Sequence, residues 1–505
     1  MSMGKSIMVV GGGSAGWMTA NLLHHQLQQH GFEITVIESP TIGIIGVGEG
    51  STPQLKVFFD ILGIAESTWM PACHATYKHG IRFNGWTDLE NDQFNSYFHP
   101  FPSSLDHHSA RPFLHQVHAM HAGQSKMPHP DEYFLTAVLA QQNKSPHLID
   151  TAASDIKTSY GYHFDATQLG VFLKTHGTNK GIRVIQTTIE HVKQSDNMIH
   201  SVIDTQGKAY SGDWFFDCTG FNGKLIQEAL GTEFIHYNDN LYNDRAVAIA
   251  TNRDAIELPQ TTATAMNCGW AWRIPLTHRI GNGYVYASDY LSPAQAEAEL
   301  RAHLGIDESI PARHLTMKVG RLAQHWVGNT IAVGLAQGFI EPLEATALHL
   351  VQETVTQFIG AFTAGKHTSA CRAQFNQNIN ARFEGIRDYI VAHYACNQIH
   401  QPTTAKHNTS NTYWQHCREQ IALSANLQAV LACWQQGGDL HQVLVERNMQ
   451  SYYPTVSWYS LLAGYRLFAH QHYQRDNTVQ EVTDLLHTVS QRFVCNKRID
   501  DPSIL

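Results

Sequence analysis

A glycine-rich run near the N-terminus is the first stretch of the sequence that indicates a binding site. Residues 11 to 16 read Gly-Gly-Gly-Ser-Ala-Gly and directly follow the apolar run Ile7–Val10. In a G-x-G-x-x-G loop of this kind, Gly11 permits the tight turn, Gly13 lets the backbone approach a pyrophosphate, and Gly16 lets helix and strand pack closely. The run therefore predicts a dinucleotide-binding loop, in which Ser14 and Ala15 also contact the cofactor.

The surroundings of the loop strengthen this interpretation. A helix is predicted to open at Trp17, and its N-terminus would offer free N–H groups to the phosphates. A second strand, Ile34–Ile37, ends at Glu38, whose carboxylate can accept hydrogen bonds from a ribose hydroxyl. Strand, loop, helix, strand and acid in this order favour a bound dinucleotide over the alternative, a glycine-rich turn in an ordinary α/β unit.

Two further stretches concern the same cofactor. Residues 42–53 intersperse four glycines with apolar residues, which predicts a partly buried loop that could lie across a flat cofactor and includes Gly48 and Glu49. The predicted buried strand Trp214–Asp217 runs on into Cys218-Thr219-Gly220 and resembles the second cofactor-contacting strand of FAD-dependent monooxygenases. One glycine loop suits NAD as well as FAD, but this later strand favours FAD.

Other candidate residues have simpler explanations when taken alone. Lys78 lies in a predicted strand, residues 75–83, and the simpler interpretation is a surface lysine whose stem covers apolar neighbours. Trp270 and Trp272 share one face of a strand, which core packing explains. Glu344 follows a glycine-containing turn at the start of a predicted helix, where backbone N–H groups can hold an anion and an acid can simply complement the helix dipole.

Composition and periodicity describe the elements that position these residues. The chain has 505 residues, a formal charge of −9 and no basic run, which disfavours nucleic acid as a partner. Its eight cysteines lack C-x-x-C pairs, which indicates reduced thiols in a cytoplasmic protein. The sequence contains no apolar run of about 18 residues, so no membrane span is predicted. Residues 88–130 read as a long ordered loop, and several stretches after residue 349 have helical periodicity.

The motifs together resemble the flavin-dependent halogenases of the tryptophan-halogenase type, over most of residues 5–400. The glycine loop matches, and Trp270 to Pro275 matches the W-x-W-x-I-P signature that sets this family apart from ordinary flavin monooxygenases. Lys78 with Gly80 to Phe83, His99-Pro100-Phe101, and Gly338 to Glu344 match the segments with the catalytic Lys, the substrate-flanking pair and the catalytic Glu. Taken with these matches, Lys78 becomes a catalytic candidate.

The resemblance implies a fold, a reaction and a set of residue roles. The fold is an α/β, FAD-dependent monooxygenase-like module with mixed sheets over residues 1–348, completed by a mainly helical part over residues 349–505. Reduced FAD from a separate reductase, oxygen and chloride or bromide would yield hypohalous acid. Lys78 would hydrogen-bond this acid or form a haloamine, and Glu344 would pair with Lys78 and take the ring proton. The other implied contacts are Leu335 for the cofactor, Thr346 and Ala347 for halide, and His99, Phe101 and Trp458 for the aromatic substrate.

Two departures from the family pattern bear on halide and substrate. The family commonly has E-S-T-G where this chain has Glu344-Ala345-Thr346-Ala347, and the loss of Gly puts the geometry of the halide turn in question. Enzymes that act on free tryptophan carry a Tyr-Tyr pair followed by Glu. The stretch around Tyr452 and Tyr453 does not reproduce that spacing, although Trp458 to Gly464 aligns with the family's late helix. We therefore expect a neutral, indole-like substrate rather than free tryptophan.

Alternatives remain open at this point. A FAD-dependent aromatic monooxygenase would share most of the fold, and a non-catalytic flavin-binding protein would share the cofactor loop. The presence of both Lys78 and Glu344 argues against the second alternative. The expected partners are a small aromatic substrate and a flavin reductase, a homodimer is one arrangement that the resemblance allows, and no metal site is predicted.

Overall fold

The computed structural model describes residues 5–41, 48–87, 95–123, 128–151, 155–254, 256–364, 368–399, 409–468 and 477–496. The chain divides into two compact units that alternate along the sequence. The first comprises Met1–His74, Phe164–Asn238 and Met317–Glu384, and the second comprises Ala75–His163, Asp239–Thr316 and Gly385–Leu505. The predicted domain boundary between residues 348 and 349 stays a prediction. Within the described part of the chain, no helix has the length and apolarity needed to span a bilayer.

A six-stranded sheet forms the centre of the first unit. Its order is Trp326–Val327, Thr330–Ala332, Trp214–Asp217, Ser6–Val10, Glu33–Glu38 and Arg183–Gln186, with all pairs parallel except the first. Its central strands are buried and apolar, as expected for parallel strands covered on both faces. The register sets Val10 opposite Asp217 and Ile37, so the ends of three strands meet at the glycine loop.

Helices and small sheets complete the first unit. Its helices are Ser14–Leu27, Gln54–Leu62, Glu66–Ala72, Ala166–Asn179, Ala347–Thr363 and the π-helix Lys224–Ala229. Its three-stranded sheets are Ile189–Ser195, Met198–Asp204 and Ala209–Ser211, and Phe234–His236, Gly320–Leu322 and Gly338–Phe339. The helix Ser369–Ala395 supplies residues to the first unit up to Glu384 and to the second from Gly385.

A seven-stranded sheet forms the centre of the second unit. Its order is Ala312–Thr316, Arg245–Thr251, Ile280–Tyr286, Gly269–Pro275, Thr261–Met266, Gly80–Asn84 and Ser96–Pro100. Shorter antiparallel pairs join Thr76–Lys78 to residues 161–163 and Lys144–Leu148 to Phe493–Cys495. The helices are Asp106–His121, Leu135–Gln141, Pro293–Leu304, Thr409–Glu419, Ala425–Gln435, Leu440–Glu446, Thr455–Gly464 and Asn477–Ser490.

Most predicted elements are confirmed, and one is wrong. The prediction of a long loop over residues 88–130 fails, because the described residues there include a strand, Ser96–Pro100, and a 16-residue helix, Asp106–His121. The helix buries Phe113, Val117 and Met120, which recur at helical spacing. The histidines and other polar residues between them hid this narrow apolar stripe in the sequence.

Candidate active site

The glycine loop of the first unit has the geometry that its sequence predicts. Gly11 has a φ of +117°, and a β-carbon built on it would lie 2.1 Å from the carbonyl oxygen of Cys218. A β-carbon on Gly16 would lie 1.9 Å from the carbonyl oxygen of Gly11. Cys218 directly follows the strand Trp214–Asp217 and donates its N–H to the Val10 carbonyl at 2.8 Å. The strand Trp214–Asp217 therefore ends beside the glycine loop. A side chain at Gly11 or Gly16 would clash with the backbone there and disrupt this close packing.

Gly13 differs from these two glycines in facing open space. No atom of the described residues lies within 4 Å of a β-carbon built on Gly13. Gly13 is also the N-cap of the helix Ser14–Leu27 and supplies no capping side chain, while the Ser14 hydroxyl donates to the Ala166 carbonyl at 3.1 Å. Open space before uncapped helix N–H groups suits the pyrophosphate of a dinucleotide, so these residues fit FAD.

The carboxylate of Glu38 lies against the loop. A β-carbon on Gly12 would lie 2.4 Å from both Cβ and Oε2 of Glu38, so a side chain at Gly12 would displace the carboxylate. Glu38 accepts from the Lys174 ammonium, from Nε2 of Gln186 at 3.4 Å and from Nε1 of Trp17 at 3.3 Å. The position agrees with a ribose-binding acid, while the three donors were not foreseen. The ribose contact itself stays a prediction.

Two more predicted cofactor segments belong to the same unit. Leu335 lies in the 3₁₀ turn Gly334–Ala336, and a β-carbon on Gly334 would lie 2.8 Å from Cβ of Ala15. The structure thus brings this turn to the glycine loop. Gly48 and Glu49 lie in the strand Gly48–Gly50, whereas residues 42–47 of the predicted loop lie outside the described residues. Burial and the nearby charge of Asp165 raise the pKa of Glu49 to about 7.

Asp217 has a structural task at the end of its strand. Its Oδ2 accepts the N–H groups of Leu225 and Ile226 at 2.8 and 2.9 Å, and its Oδ1 accepts from the backbone and hydroxyl of Thr219. Burial raises the pKa of this carboxyl, and the hydrogen bonds oppose that effect. The carboxylate therefore satisfies the start of the π-helix Lys224–Ala229 and holds the chain beside the glycine loop.

The predicted halide turn is also in the first unit. Glu344 ends the 3₁₀ turn Pro342–Glu344 and is 3% exposed. Thr346 is the buried N-cap of the 17-residue helix Ala347–Thr363, and its side chain makes no capping hydrogen bond. The first N–H groups of a helix have no intrahelical partner. Those that follow Thr346, beginning at the exposed Ala347, can therefore bind an anion.

The strained backbone conformation in this turn falls on a different residue from the one that the family pattern suggests. Ala347 is the first residue of a helix, where alanine is favourable. The left-handed conformation instead falls on Ala345, with a φ of +56°, which costs a residue with a β-carbon about 1–2 kcal/mol. The turn forms despite the absence of Gly at position 347.

Lys78 is the central candidate of the second unit. It ends the strand Thr76–Lys78 opposite Gly161 and is 0% exposed. Its Nζ atom lies 5.5 Å from the centre of the Phe101 ring, and Phe101 is fixed by its N–H, which donates to the His79 carbonyl at 2.9 Å. The interpretation of Lys78 as a surface lysine is therefore wrong. A buried ammonium over an aromatic face is expensive to maintain without a function.

A neutral histidine supports the strand that carries Lys78. The Thr76 hydroxyl donates its single proton to the Pro275 carbonyl at 2.7 Å, so Nδ1 of His163, 3.0 Å away, must donate to Thr76. Nε2 of His163 consequently accepts from the Thr261 hydroxyl at 3.0 Å. Burial, and then the charges of Lys78 and Arg273, hold the pKa of His163 well below its usual value.

Sequence reasoning missed His163 and its two threonines. A histidine fully buried in a strand that pairs with the strand of Lys78 is the signal that could have found it. Because His163 is neutral, its ring adds no positive charge near Lys78.

The predicted substrate residues His99 and Trp458 belong to one aromatic cluster, which consists of His99, Tyr389, Tyr453 and Trp458. The Tyr389 ring stacks on Tyr453 with centroids 3.6 Å apart, meets Trp458 edge to face at 4.9 Å and lies 5.7 Å from His99. Nε2 of His99 is 2.9 Å from the Ser457 hydroxyl. No motif points to Tyr389 or Ser457, and the spacing around Tyr453 does not match the family's Tyr-Tyr pattern.

The two tryptophans of the W-x-W signature pack as core residues. Trp270 and Trp272 are buried on one face of the strand Gly269–Pro275, with ring centres 6.2 Å apart. Nε1 of Trp272 has no hydrogen-bond partner among the described residues. Core packing therefore accounts for both rings, although the indole N–H of Trp272 is a buried donor without an acceptor among the described residues.

The candidate residues divide between the units. The glycine loop, Glu38, Leu335, Glu344, Thr346 and Ala347 belong to the first, and Lys78, His99, Phe101 and Trp458 belong to the second. The pairing of Lys78 with Glu344 stays a prediction.

Comparisons with known proteins cover nearly the whole chain. The sequence profile of the family described as tryptophan halogenase matches residues 6–481. A tryptophan 6-halogenase of Streptomyces toxytricini is 36% identical over 414 residues, which cover 77% of each chain. A tryptophan 7-halogenase of Lentzea aerocolonigenes is 32% identical over 485 residues, which cover 91% of this chain and 89% of that one.

Solved structures show the same likeness. The crystal structure of the Streptomyces toxytricini enzyme matches with a TM-score of 0.84 and 30% identity, over 98% of both chains. A flavin-dependent halogenase from Xanthomonas campestris matches with a TM-score of 0.84 and 28% identity, over 98% of this chain and 97% of that one. The predicted α/β fold with mixed sheets and a mainly helical C-terminal part is confirmed.

Proposed function

Because this chain belongs to the tryptophan halogenase family and is a flavin-dependent halogenase, we propose that Lys78 delivers the halogen to a neutral, electron-rich aromatic ring of the indole class. The resemblance inferred from the motifs is thereby confirmed. The observation that supports the role of Lys78 is its complete burial with Nζ over the Phe101 ring. Burial keeps water, a competing nucleophile, away from a reactive halogen.

FAD is the cofactor of the family, and the first unit offers a fitting place for it. Gly11, Gly13 and Gly16 shape the loop, Ser14 and Ala15 begin the helix, and Glu38 faces the loop. Gly48, Glu49 and Leu335 complete the proposed contacts. Reduced FAD held there would supply the electrons that activate oxygen, and the activated oxygen would be the oxidant that converts a halide ion to hypohalous acid. We propose that a separate reductase supplies the reduced form.

Chloride or bromide would bind at the turn after Glu344. The uncapped N–H groups at the start of the helix Ala347–Thr363 support this placement, because they carry partial positive charge and lack intrahelical partners. Thr346 is buried, which excludes water from one side of the turn. The helical conformation of Ala347 leaves these N–H groups available.

Lys78 would act on the hypohalous acid in one of two ways. Its ammonium can donate a hydrogen bond to the acid's oxygen and make the halogen more electrophilic, or its amine can take the halogen, releasing water and forming a haloamine. The ring carbon then bonds to the halogen and loses its proton. We propose that the Glu344 carboxylate accepts that proton as general base. The net change replaces one ring hydrogen by halogen and converts the acid to water.

The aromatic cluster supports a neutral ring as the substrate. His99 and Trp458 share this cluster, and Nζ of Lys78 lies over the Phe101 ring, which supports a flat aromatic ring as the substrate. The Streptomyces and Lentzea relatives are tryptophan halogenases. For this chain we propose indole-like substrates ahead of free tryptophan, because the Tyr452-Tyr453 segment lacks the family's spacing for gripping an amino-acid group.

We also propose that the enzyme works in the cytoplasm. The eight cysteines are all free thiols, four of them buried, which suits a reducing compartment. A homodimer is compatible with this proposal but is not required by it.

A substrate panel tests the proposed function. The purified chain is supplied with FAD, a flavin reductase, oxygen and either bromide or chloride, and is offered indole, tryptophan and phenol. Mass spectrometry should detect the isotope pattern of a monohalogenated product with indole, and none without halide or reductase. A hydroxylated product that forms without halide would instead identify an aromatic monooxygenase.

A further inference from the structure

We propose that Ser457 is a positioning residue that fixes the His99 imidazole and thereby decides which ring carbon of the substrate is halogenated. This inference rests on the proposed function, in which His99 lies against the substrate ring. Ser457 itself is not proposed to touch the reacting atoms. Its effect is transmitted through one buried hydrogen bond.

The hydrogen bond joins two otherwise distant parts of the second unit. His99 is in the strand Ser96–Pro100, and Ser457 is in the first turn of the helix Thr455–Gly464. Nε2 of His99 and Oγ of Ser457 are 2.9 Å apart, and the two residues are 5% and 7% exposed. Water has little access to compete for such a bond, which is therefore stronger than a surface one.

The serine is held in place by the aromatic cluster. The Tyr389 hydroxyl donates to the Ser457 carbonyl at 3.0 Å. The Tyr389 ring is itself fixed by face-to-face stacking on Tyr453 and by edge contact with Trp458, the neighbour of Ser457. The backbone that carries the hydroxyl is thus fixed by both its own helix and Tyr389.

Orientation of the imidazole matters because of where Lys78 lies. His99 and Phe101 are two residues apart in extended chain, which places their side chains on the same side, and Nζ of Lys78 lies over Phe101. A histidine ring rotates between broad, roughly two-fold positions about its outer torsion. Loss of the Ser457 bond removes one of the contacts that fix the ring, so the ring turns more freely and a substrate resting on it presents more than one carbon to Lys78.

Ser460 provides a matched control on the same helix. It lies one turn after Ser457 and is 0% exposed, and its hydroxyl has no hydrogen-bond partner among the described residues. Ser457→Ala and Ser460→Ala each remove one buried hydroxyl and substitute a better helix former. Both variants should fold, and only the first breaks a contact to His99.

The experiment measures the distribution of halogenated isomers formed from an indole-class substrate. Ser457→Ala should lower kcat/KM about fivefold to tenfold, the value of one buried hydrogen bond, and should broaden the isomer distribution. FAD affinity should stay at the wild-type value, while the melting temperature should fall slightly because one buried hydrogen bond is lost. Ser460→Ala should retain both the rate and the distribution. A Ser457→Ala enzyme with the wild-type distribution would overturn the proposal, as would an equal broadening in Ser460→Ala.

If the wild-type chain forms no halogenated product, the proposed function fails, and the role of Ser457 is then tested by nitrogen NMR of ¹⁵N-histidine-labelled protein. The His99 signal, assigned with His99→Gln, should shift in Ser457→Ala and stay in Ser460→Ala. An unchanged His99 signal in Ser457→Ala would show that the hydroxyl does not hold the ring.

Discussion

The Nζ atom of Lys78 lies 5.5 Å from the centre of the Phe101 ring, although the two residues are 23 positions apart in the sequence. The contact exists because the Phe101 N–H bonds to the His79 carbonyl, which ties the end of one strand to the residue that follows Lys78. The negative face of the ring offsets part of the cost of burying a cation. The same neighbourhood keeps His163 neutral, so Lys78 does not face a protonated imidazole there.

Lys78→Ala should abolish halogenation and leave FAD bound. The substitution removes the nitrogen that polarises or carries the halogen, while the glycine loop belongs to the other unit. Product is measured by mass spectrometry and FAD affinity by titration. Lys56→Ala, which removes a partly exposed lysine paired with Asp60, serves as the control and should retain activity. More than a few per cent of the wild-type rate in Lys78→Ala would rule out the proposed role.

Gly13→Val should weaken FAD binding at least about a hundredfold while leaving the melting temperature of the FAD-free protein near wild type. Gly13 has a φ of −76° and a ψ of −177°, which valine tolerates, and no atom of the described residues lies within 4 Å of a new β-carbon. The side chain would therefore conflict only with the pyrophosphate. Gly360→Ala, which also points a β-carbon into open space, should leave FAD affinity unchanged. Equal affinities for wild type and Gly13→Val would place the pyrophosphate elsewhere.

Much of the cofactor region could be predicted because it depends on local pattern. The strand, the glycine loop and Glu38 are consecutive in sequence, and the constraint on Gly11 is a property of its own backbone. The partners of Glu38 could not be predicted, since Lys174 and Gln186 reach it from more than a hundred residues away. Contacts of that kind depend on how elements pack, which the spacing of residues along the chain does not encode.

The proposed substrate-binding residues were harder to predict from the sequence, because their contacts also depend on how distant elements pack. His99 and Phe101 were found because they adjoin a recognisable motif. Ser457 and Tyr389 acquire their roles only through contacts with His99, which lies hundreds of residues earlier in the chain. Ala345 illustrates a different limit, because the family pattern drew attention to Ala347 while the positive φ falls two residues before it.

Ala345→Gly should raise the free energy of unfolding by about 0.5–1 kcal/mol. Glycine removes the left-handed penalty of a β-carbon, and its greater flexibility in the unfolded chain takes back part of the gain. Ala347→Gly is the matched comparison and should give no gain, because that residue is helical. Both are measured by denaturant unfolding. A larger gain from Ala347→Gly would mean that the strained position had been assigned to the wrong residue.

Glu49→Gln should stabilise the protein more at pH 8 than at pH 5. The folded-state pKa of Glu49 is raised to about 7, above the unfolded value near 4.5, so folding favours the protonated form. The stability contributed by that proton is lost as pH rises from about 4.5 to about 7, and glutamine, which mimics the protonated acid, does not lose it. Melting temperatures at the two pH values test this. Glu190→Gln, at an exposed position, should show no such pH-dependent gain, and an equal gain at both pH values in Glu49→Gln would contradict the assignment.

Indole should be halogenated with a higher kcat/KM than free tryptophan, and bromide should serve at least as well as chloride. The aromatic cluster and the Lys78–Phe101 contact support attack on a flat ring. The charged groups of an amino acid are costly to desolvate without matched partners, and Tyr453, instead of gripping such a group, is stacked on Tyr389. Bromide is the easier halide to oxidise. The four kcat/KM values, for each substrate with each halide, decide the matter. A tenfold advantage for tryptophan, about 1.4 kcal/mol of transition-state preference, would mean that the segment around Tyr452 and Tyr453 does bind the amino-acid group.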